Sequence, residues 1–189
     1  MHDRLTACAF VLPDHVTGSD ILDSAYAGID PSDPAQAAAL APYLFASDAV
    51  RSRAGEFCPL ASAVGRFPIL VAGHAFGSGP SPANAPAALA AAGVRVILAD
   101  SFADLFFRRL VNAGGLLPLI LLSAPSTHEA ATGRLCERIT TGATLTVDLS
   151  LCCVTLPDGS TSAFEHPGVT RKIAAAGGLL RRDPPERPA

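Results

Sequence analysis

Three short apolar runs, separated by segments typical of helices, constrain the fold of this chain most strongly. The runs are Pro68–Ala72, Val94–Ala99 and Leu117–Leu122. Between them lie one segment that opens at Asn84 and continues to Ala92, and another over Phe102–Asn112. Short buried strands that alternate with helices are typical of βαβ units, since parallel strands require a crossover connection. We therefore predict an α/β fold with a parallel or mixed sheet covered on both faces.

The boundaries of these elements are predicted from local residue types. Asn84 suits an N-cap position, and Asp100 or Ser101 suits the cap of the next helix. Nearer the N-terminus, residues 5–12 are predicted as a strand and residues 35–46 as an alanine-rich helix, whereas residues 47–67 show no strong period. In the last third, strands are predicted over Ala143–Val147, Leu151–Leu156 and Ser160–Phe164, with a hairpin turn at Asp158-Gly159 between the last two. A short helix is predicted over Val169–Ala176.

Composition excludes several classes of protein. The chain has 189 residues, of which 49% are hydrophobic and 16% are charged, so a folded core rather than disorder is expected. The formal net charge is −3 and no basic block is present, which disfavours nucleic acid as a partner. No apolar run is long enough to span a membrane, and Met1–Phe10 lacks the apolar core of a signal peptide. We expect a soluble, cytoplasmic chain with one domain over residues 1–182 and a flexible tail over 183–189.

The five cysteines do not form a recognisable metal motif. They contain no Cys-x-x-Cys pair, and the adjacent Cys152 and Cys153 point to opposite faces of a predicted strand. We interpret the cysteines as small buried hydrophobic residues, and we predict no metal site on this chain.

The loop over residues 73–82 is the best candidate for a binding site. It follows a predicted strand and precedes a predicted helix, where open α/β sheets bind ligands. Gly77 and Gly79 permit close approach of a ligand to the backbone, but the segment matches neither a dinucleotide fingerprint nor a P-loop. A purely structural turn is the alternative. His74 is interpreted as packed or solvated, and Arg108-Arg109 as a solvated helix face rather than a carboxylate site.

The loop and the segments after it share a pattern with a known family. The pattern comprises Gly73-His74-Ala75-Phe76-Gly77-Ser78-Gly79, Ala85-Pro86, the stretch Val94–Phe107 and Asn112-Ala113-Gly114. It resembles the swivel domain of the aconitase superfamily, and more closely the small subunit of 3-isopropylmalate dehydratase. The resemblance extends over residues 5–182 and is weakest over 47–67. It implies an aconitase-type swivel fold with β/α/β layers, a mixed parallel sheet and a C-terminal β-hairpin.

The resemblance also implies a mechanism shared between two subunits. In this family a separate large subunit holds a [4Fe-4S] cluster whose open iron acts as a Lewis acid. The small subunit closes over it and supplies a loop serine as base and a loop arginine for a substrate carboxylate. We therefore expect a large-subunit partner, in a heterodimer or heterotetramer, a small carboxylic acid as substrate, and no cofactor on this chain itself.

The sequence departs from the family pattern at the substrate loop. The two loop serines of the family fall on Pro80 and Ser81, and the arginine falls on Pro82. The glutamate and histidine that follow in the family fall on Ala83 and Asn84. In the N-terminal segment the family's Thr-Asp pair falls on Gly18-Ser19, followed by Asp20. Several residues that would contact substrate are therefore changed together.

These observations lead to one set of candidate residues and three interpretations. Ser81 is the candidate catalytic residue, and the candidate substrate-binding residues are Gly77, Ser78, Gly79, Asn84, His74 and Asp20. The favoured interpretation is the small subunit of an aconitase-type hydro-lyase or isomerase that acts on a hydroxy-carboxylic acid. The alternatives are a non-catalytic or regulatory swivel subunit, and a stand-alone domain that binds an anion at the helix N-terminus near Asn84.

Overall fold

The computed structural model describes residues 3–30, 33–47, 65–122 and 134–178. Within these residues seven strands are present, namely β1 (Arg4–Val11), β2 (Ile69–Ala72), β3 (Val96–Ala99), β4 (Leu117–Ile120), β5 (Thr144–Asp148), β6 (Cys153–Thr155) and β7 (Thr161–Ala163). The helices are α1 (Gly18–Ile21), α2 (Pro34–Leu40), α3 (Ala85–Ala91), α4 (Asp104–Ala113), α5 (Leu135–Arg138) and α6 (Gly168–Ala175). Short 3-10 turns lie at Ser24–Tyr26 and Ala41–Tyr43.

The strands form one mixed sheet in the order β4-β3-β2-β1-β5-β6-β7. Strands β1 to β4 are parallel, as the alternation of apolar runs and helices predicts. Strand β5 lies antiparallel to β1, and β6 and β7 continue the sheet as an antiparallel hairpin that turns at Asp158-Gly159. The predicted mixed sheet and C-terminal hairpin are therefore confirmed.

The sheet curves until its two ends meet beyond β4 and β7. Leu121 forms an antiparallel bridge with Phe164. The amide of Leu122 donates to the carbonyl of Ala163 at 2.9 Å, and the amide of Glu165 donates to that of Ile120 at 2.8 Å. The seven strands thus form a half-barrel, and this contact protects part of the two exposed edges.

Both faces of the sheet are buried, because alternate strand residues point to opposite sides. On the outer face Phe10, Leu70 and Ile97 pack with Phe106 and Leu110 of α4. The inner face of the half-barrel is a separate apolar cluster that contains Ile69, Val71, Leu98, Leu117, Leu145, Val154 and Phe164. The expectation of a sheet covered on both faces is confirmed.

Two predicted helix boundaries are wrong. The helix expected over 35–46 ends at Leu40 and continues as a 3-10 turn, because Pro42 lacks the amide hydrogen that an α-helix requires. Helix α4 begins at Asp104, and its N-cap Ala103 makes no side-chain capping bond, so neither Asp100 nor Ser101 caps it. Residues before α4 stay extended because Phe102 forms a bridge with Phe76.

Two expectations fall on residues that the structure does not describe. The proposed tail over 183–189 and most of the segment over 47–67 lie outside the described residues. Within the part of the chain that is described, no helix has the length and apolar character needed to cross a membrane.

Candidate functional site

The loop after β2 runs beside the segment that follows β1. The amide of His15 donates to the carbonyl of His74 at 3.0 Å, and that of Gly77 donates to Val16 at 2.8 Å. The amide of Gly18 donates to the carbonyl of Ser78 at 2.8 Å. These bonds continue the parallel pairing of β1 and β2 past the ends of the strands. The N-terminal segment and the loop therefore lie together at the carboxyl edge of the sheet, the candidate position for a ligand in such folds.

The segment after β3 holds the other side of the same loop. The amide of Phe76 donates to the carbonyl of Ser101 at 3.0 Å, and the amide of Ala103 donates back to Phe76 at 3.0 Å. The hydroxyl of Ser101 accepts a bond from the amide of Ala75 at 2.9 Å, so Ser101 positions the loop instead of capping α4. Because the loop is bonded on both sides, its first half has a defined path.

Gly18 allows the two segments to pack against each other at the second half of the loop. A Cβ atom on Gly18 would lie 2.2 Å from the Cβ of Ser81, which is far inside van der Waals contact. The hydroxyl of the neighbouring Ser19 donates to the carbonyl of Pro80 at 3.2 Å. A residue without a side chain is therefore required where the family pattern has a threonine.

The candidate base Ser81 is half-buried and bonded within its own loop. Its hydroxyl donates to the carbonyl of Pro82 at 3.3 Å, and this is its only hydrogen bond to a described residue. Its carbonyl accepts a bond from Nη1 of Arg109 at 2.7 Å. The flanking Pro80 and Pro82 have no amide hydrogen, so they offer no backbone donor to a ligand.

Arg109 is a site residue that the sequence reasoning missed. The expectation of a solvated face holds for Arg108, which is exposed, but Arg109 is half-buried and reaches the loop. A signal was available in the spacing: Arg109 follows Phe106 by three positions and therefore flanks the buried face of α4. Which loop it meets depends on how α4 packs, and the sequence does not show that.

Asp20 lies in a small cleft beside the loop. Its Oδ2 accepts bonds from the amide of Thr17 at 3.0 Å and the hydroxyl of Thr17 at 2.7 Å, which completes a capping box for α1. Its Oδ1 accepts a bond from the hydroxyl of Ser47 at 2.8 Å. The cleft has a volume of about 320 Å³ and is lined by Ser19, Asp20, Asp23, Ala25, Tyr26, Tyr43, Ala46 and Ser47. Asp20 therefore lines the cleft and also holds its wall in place through the bonds to Thr17 and Ser47.

Asn84 is placed at the N-cap of α3, but its side chain makes no capping bond. Instead Nδ2 donates to the carbonyls of Tyr26 at 2.6 Å and Ile29 at 3.2 Å. The residue is 1% exposed, and its Oδ1 is buried without a hydrogen bond to any described residue. Asn84 therefore ties the wall of the cleft to the end of the loop, and direct contact with substrate stays a prediction.

His74 lies at the opposite end of the loop from Ser81, in a cluster of charged residues. Its amide donates to Oδ1 of Asp14 at 2.8 Å, and its Nε2 lies 4.0 Å from Oδ2 of Asp100. Arg134 bonds to both Asp14 and Glu137, and its Nη1 lies 3.9 Å from Oδ2 of Asp100. The sequence reasoning missed this cluster, because its members come from segments that are distant along the chain.

The pKa values of the two aspartates in this cluster are shifted in opposite directions. The bond from Arg134 holds the pKa of Asp14 below its ordinary value, and the amide of His74 lowers it further. Burial raises the pKa of Asp100, although His74 and Arg134 oppose that shift. Of these two aspartates, Asp14 is therefore the more firmly ionised, and Asp100 protonates more readily.

The Asp14–Arg134 pair predicts a loss of stability in acid. Because the folded state lowers the pKa of Asp14 below 3.8, the pair stabilises the fold above that pH. The stabilisation disappears as the pH falls through the lowered pKa. We expect Asp14→Asn to cost about 0.5–1 kcal/mol at pH 7 and progressively less as the pH falls below 3.8, as measured by urea unfolding at pH 7 and pH 3. Equal losses at both pH values, or the same pH dependence in the exposed control Asp104→Asn, would contradict this assignment.

The described residues do not fit an iron–sulfur cluster or a protein-bound metal ion. No group of three or more histidine, cysteine or acidic side chains in the described ranges is arranged to hold a metal. The four described cysteines (Cys8, Cys136, Cys152 and Cys153) are half-buried and unpaired, so they are less buried than predicted. Cys58 lies outside the described residues.

The half-barrel with its bonded strand-end loops is similar to the fold of aconitase-type swivel domains. The Aconitase C-terminal domain family matches residues 59–124. A solved 3-isopropylmalate dehydratase from Methanocaldococcus jannaschii is similar over 94% of this chain and 92% of that one, with a TM-score of 0.71 and 26% identity. The resemblance predicted from the sequence is therefore confirmed.

The curated relatives name a particular subunit, whereas the family model names only a domain. The chain is 41% identical over 103 residues to the 3-isopropylmalate dehydratase small subunit of Anaeromyxobacter dehalogenans, which is 54% of this chain and 49% of that one. It is 44% identical over 96 residues to the small subunit of Shewanella oneidensis, which is 51% and 45% of the two chains. The chain spans about half the length of the curated relatives it matches.

Proposed function

We propose that this chain is the small subunit of an aconitase-type hydro-lyase or isomerase that acts on a hydroxy-carboxylic acid. The observation that carries the proposal is the placement of the loop over residues 73–82. It lies at the carboxyl edge of the half-barrel, bonded to the segments that follow β1 and β3. The similarity to a solved 3-isopropylmalate dehydratase over 94% of the chain supports the same assignment.

The proposed enzyme needs a second subunit. A large subunit with a [4Fe-4S] cluster is assigned as the partner, and the cluster supplies Lewis-acid chemistry toward the substrate's hydroxyl. The part proposed for this chain is to bind the substrate and move a proton. The assembly is proposed as a heterodimer or heterotetramer.

Ser81 is proposed to accept the proton next to a substrate carboxylate. Its hydroxyl is half-buried and makes one long hydrogen bond, 3.3 Å, to the carbonyl of Pro82. A serine acts as a base only when a second group takes its proton. Among the described side chains none is within hydrogen-bonding distance of this hydroxyl. We propose that the partner subunit or the bound substrate supplies that group.

The remaining candidates are proposed to shape the substrate pocket. Gly77 and Gly79 have φ angles of +78° and +71°, a left-handed backbone conformation that glycine adopts readily and that lets the loop turn sharply. The carbonyl of Ser78 accepts a hydrogen bond from the amide of Gly18. The side chains of Asp20 and Asn84 hold residues of the neighbouring cleft in place through their hydrogen bonds. His74 is exposed at the start of the loop, where it is available to substrate or partner.

The substrate is proposed to be an isopropylmalate-like acid or an analogue of it from a specialised pathway. A lost arginine–carboxylate contact costs about 1.5–3 kcal/mol, and a lost base costs about 10²- to 10⁴-fold in rate. Because Pro80 and Pro82 replace a serine and an arginine of the family pattern, the ordinary substrate is expected to turn over poorly.

A non-catalytic or regulatory subunit is the second candidate. The observation that favours it is the surroundings of Ser81, which is flanked by prolines and has no described base beside it. Such a subunit would keep the swivel fold and bind the large subunit without contributing a proton acceptor.

Turnover by the reconstituted pair tests the proposal. We expect dehydration of isopropylmalate or a related hydroxy acid, and a fall in kcat of about 10²-fold or more in Ser81→Ala. Thr161→Ala removes an exposed hydroxyl in β7 and serves as the control, with unchanged kcat expected. Unchanged turnover in Ser81→Ala would remove Ser81 from the mechanism. A stable pair that turns over none of these acids would favour the non-catalytic subunit.

A further inference from the structure

We propose that Arg109 is the residue that binds a substrate carboxylate, supplied from helix α4 to a loop whose own basic position is occupied by Pro82. This inference rests on the proposed function, because it identifies a binding residue of the same site. It predicts that the substrate carries a carboxylate that lies against the second half of the loop, next to Ser81.

The position of the guanidinium is the first argument. Nη1 of Arg109 lies 2.7 Å from the carbonyl oxygen of Ser81, so the charge reaches the loop between its two prolines. A guanidinium has five N–H donors in a planar fork, and this bond uses one of them. Described residues accept no other hydrogen bond from this side chain. Two parallel donors are therefore available for a carboxylate, which is the geometry that arginine recognises best.

The partners of the other basic residues are the second argument. Arg4 pairs with Asp148, Arg134 with Asp14 and Glu137, and Arg171 with Asp3. The side chains of Arg95 and Arg138 are bonded to groups away from the loop. Within the described ranges, Arg109 is the one cation with a hydrogen bond to residues 77–82.

The shortage of backbone donors is the third argument. The amides of Gly77 and Ser78 are already bonded to Val16 and Ala75. Pro80 and Pro82 have no amide hydrogen, and neither does Pro86 in the first turn of α3. Because α3 has only seven residues and a proline at its start, it is a poor anion site. The other loop amides, such as those of Gly79 and Ser81, carry no charge, so a side-chain cation is the group that would neutralise a carboxylate at this loop.

A purely structural role for Arg109 makes a different prediction. If the guanidinium only holds the carbonyl of Ser81, its loss disturbs the loop for every substrate equally. If it binds a carboxylate, its loss matters for a diacid and not for the analogue in which that carboxylate is an amide. The comparison of the two substrates separates the roles.

The experiment uses the reconstituted pair with Arg109→Gln, Arg109→Lys and the control Arg108→Gln. The control removes the same charge from an exposed neighbour on the same helix. With a hydroxy diacid we expect KM to rise about 10- to 100-fold in Arg109→Gln and by less in Arg109→Lys. Arg108→Gln should stay within about twofold. With the monoamide, Arg109→Gln should match the unmodified chain.

Three results would overturn the inference. The first is equal KM values in Arg109→Gln and Arg108→Gln. The second is an equal loss with the diacid and the monoamide, which would leave Arg109 as a positioning residue for Ser81. The third is the absence of malate binding, measured by calorimetry, both to the reconstituted pair and to this chain alone. Thermal unfolding of each variant shows whether it folds, and Arg109→Lys replaces Arg109→Gln if the latter does not.

Failure of the proposed function gives a different pattern. If the pair binds malate but dehydrates no hydroxy acid, the enzymatic assignment fails while Arg109 remains testable by calorimetry. Loss of malate binding in Arg109→Gln, with binding retained in Arg108→Gln, would then still support the carboxylate site.

Discussion

Gly77→Ala is expected to destabilise the fold by about 3 kcal/mol or more and to displace the loop over residues 73–82. Gly77 has a φ angle of +78°, in the left-handed region that favours glycine. A Cβ atom there would lie 2.2 Å from the ring of Phe106. Phe106 is 1% exposed and packs edge-on against Phe76, so the ring has no space to move away. Urea unfolding followed by circular dichroism measures the loss.

Gly79→Ala is the matched control for this prediction. Gly79 has a similar φ angle of +71°, but a Cβ atom there would meet nothing within 4 Å. Its replacement should therefore cost only the backbone strain, about 1–2 kcal/mol. The difference between the two variants measures the contact with Phe106. Equal losses in both would contradict the described packing of the loop against α4.

Asn84→Asp is expected to destabilise the chain by about 3 kcal/mol or more at pH 8. The amide of Asn84 donates to the carbonyls of Tyr26 and Ile29 and is 1% exposed. An ionised carboxylate has no N–H group, so it could not donate to these two carbonyl oxygens. Its negative charge would instead lie against them. Burial and these oxygens would raise the pKa of the new carboxyl in the folded state. The variant should therefore regain stability as the pH falls toward 5, because its folded form binds the proton more tightly.

Thermal unfolding at pH 5 and pH 8 tests this second prediction. Asn112→Asp introduces the same charge at an exposed position near the end of α4 and serves as the control. We expect a small loss there, with little dependence on pH. A small, pH-independent loss in Asn84→Asp would mean that Asn84 does not hold the cleft wall to the loop.

The part of the fold that could be predicted from the sequence is the part determined by local pattern. The runs Pro68–Ala72, Val94–Ala99 and Leu117–Leu122 appear as β2, β3 and β4, and Asp158-Gly159 turns the hairpin. The boundaries of α2 and α4 were wrong. Pro42, a neighbour in sequence, ends α2 early. The start of α4 is delayed by the bridge between Phe76 and Phe102, two residues that are distant along the chain.

The candidate site was located by pattern, but its contacts were not. The loop over residues 73–82 follows β2 as expected, because glycines between a strand and a helix are a local signal. The bond from Arg109 to Ser81 and the cluster of Asp14, Asp100 and Arg134 join residues that are distant along the chain. Such contacts depend on how α4 and α5 pack, and no local sequence pattern contains that information.

Anaerobic co-purification of this chain with an aconitase-type large subunit tests the central claim most directly. The account predicts a stable brown complex with the absorbance of an iron–sulfur cluster, and dehydration of isopropylmalate or a related hydroxy acid when both chains are present. A brown complex without turnover would favour the non-catalytic subunit. The absence of any complex would contradict the two-subunit account and favour a stand-alone binding domain.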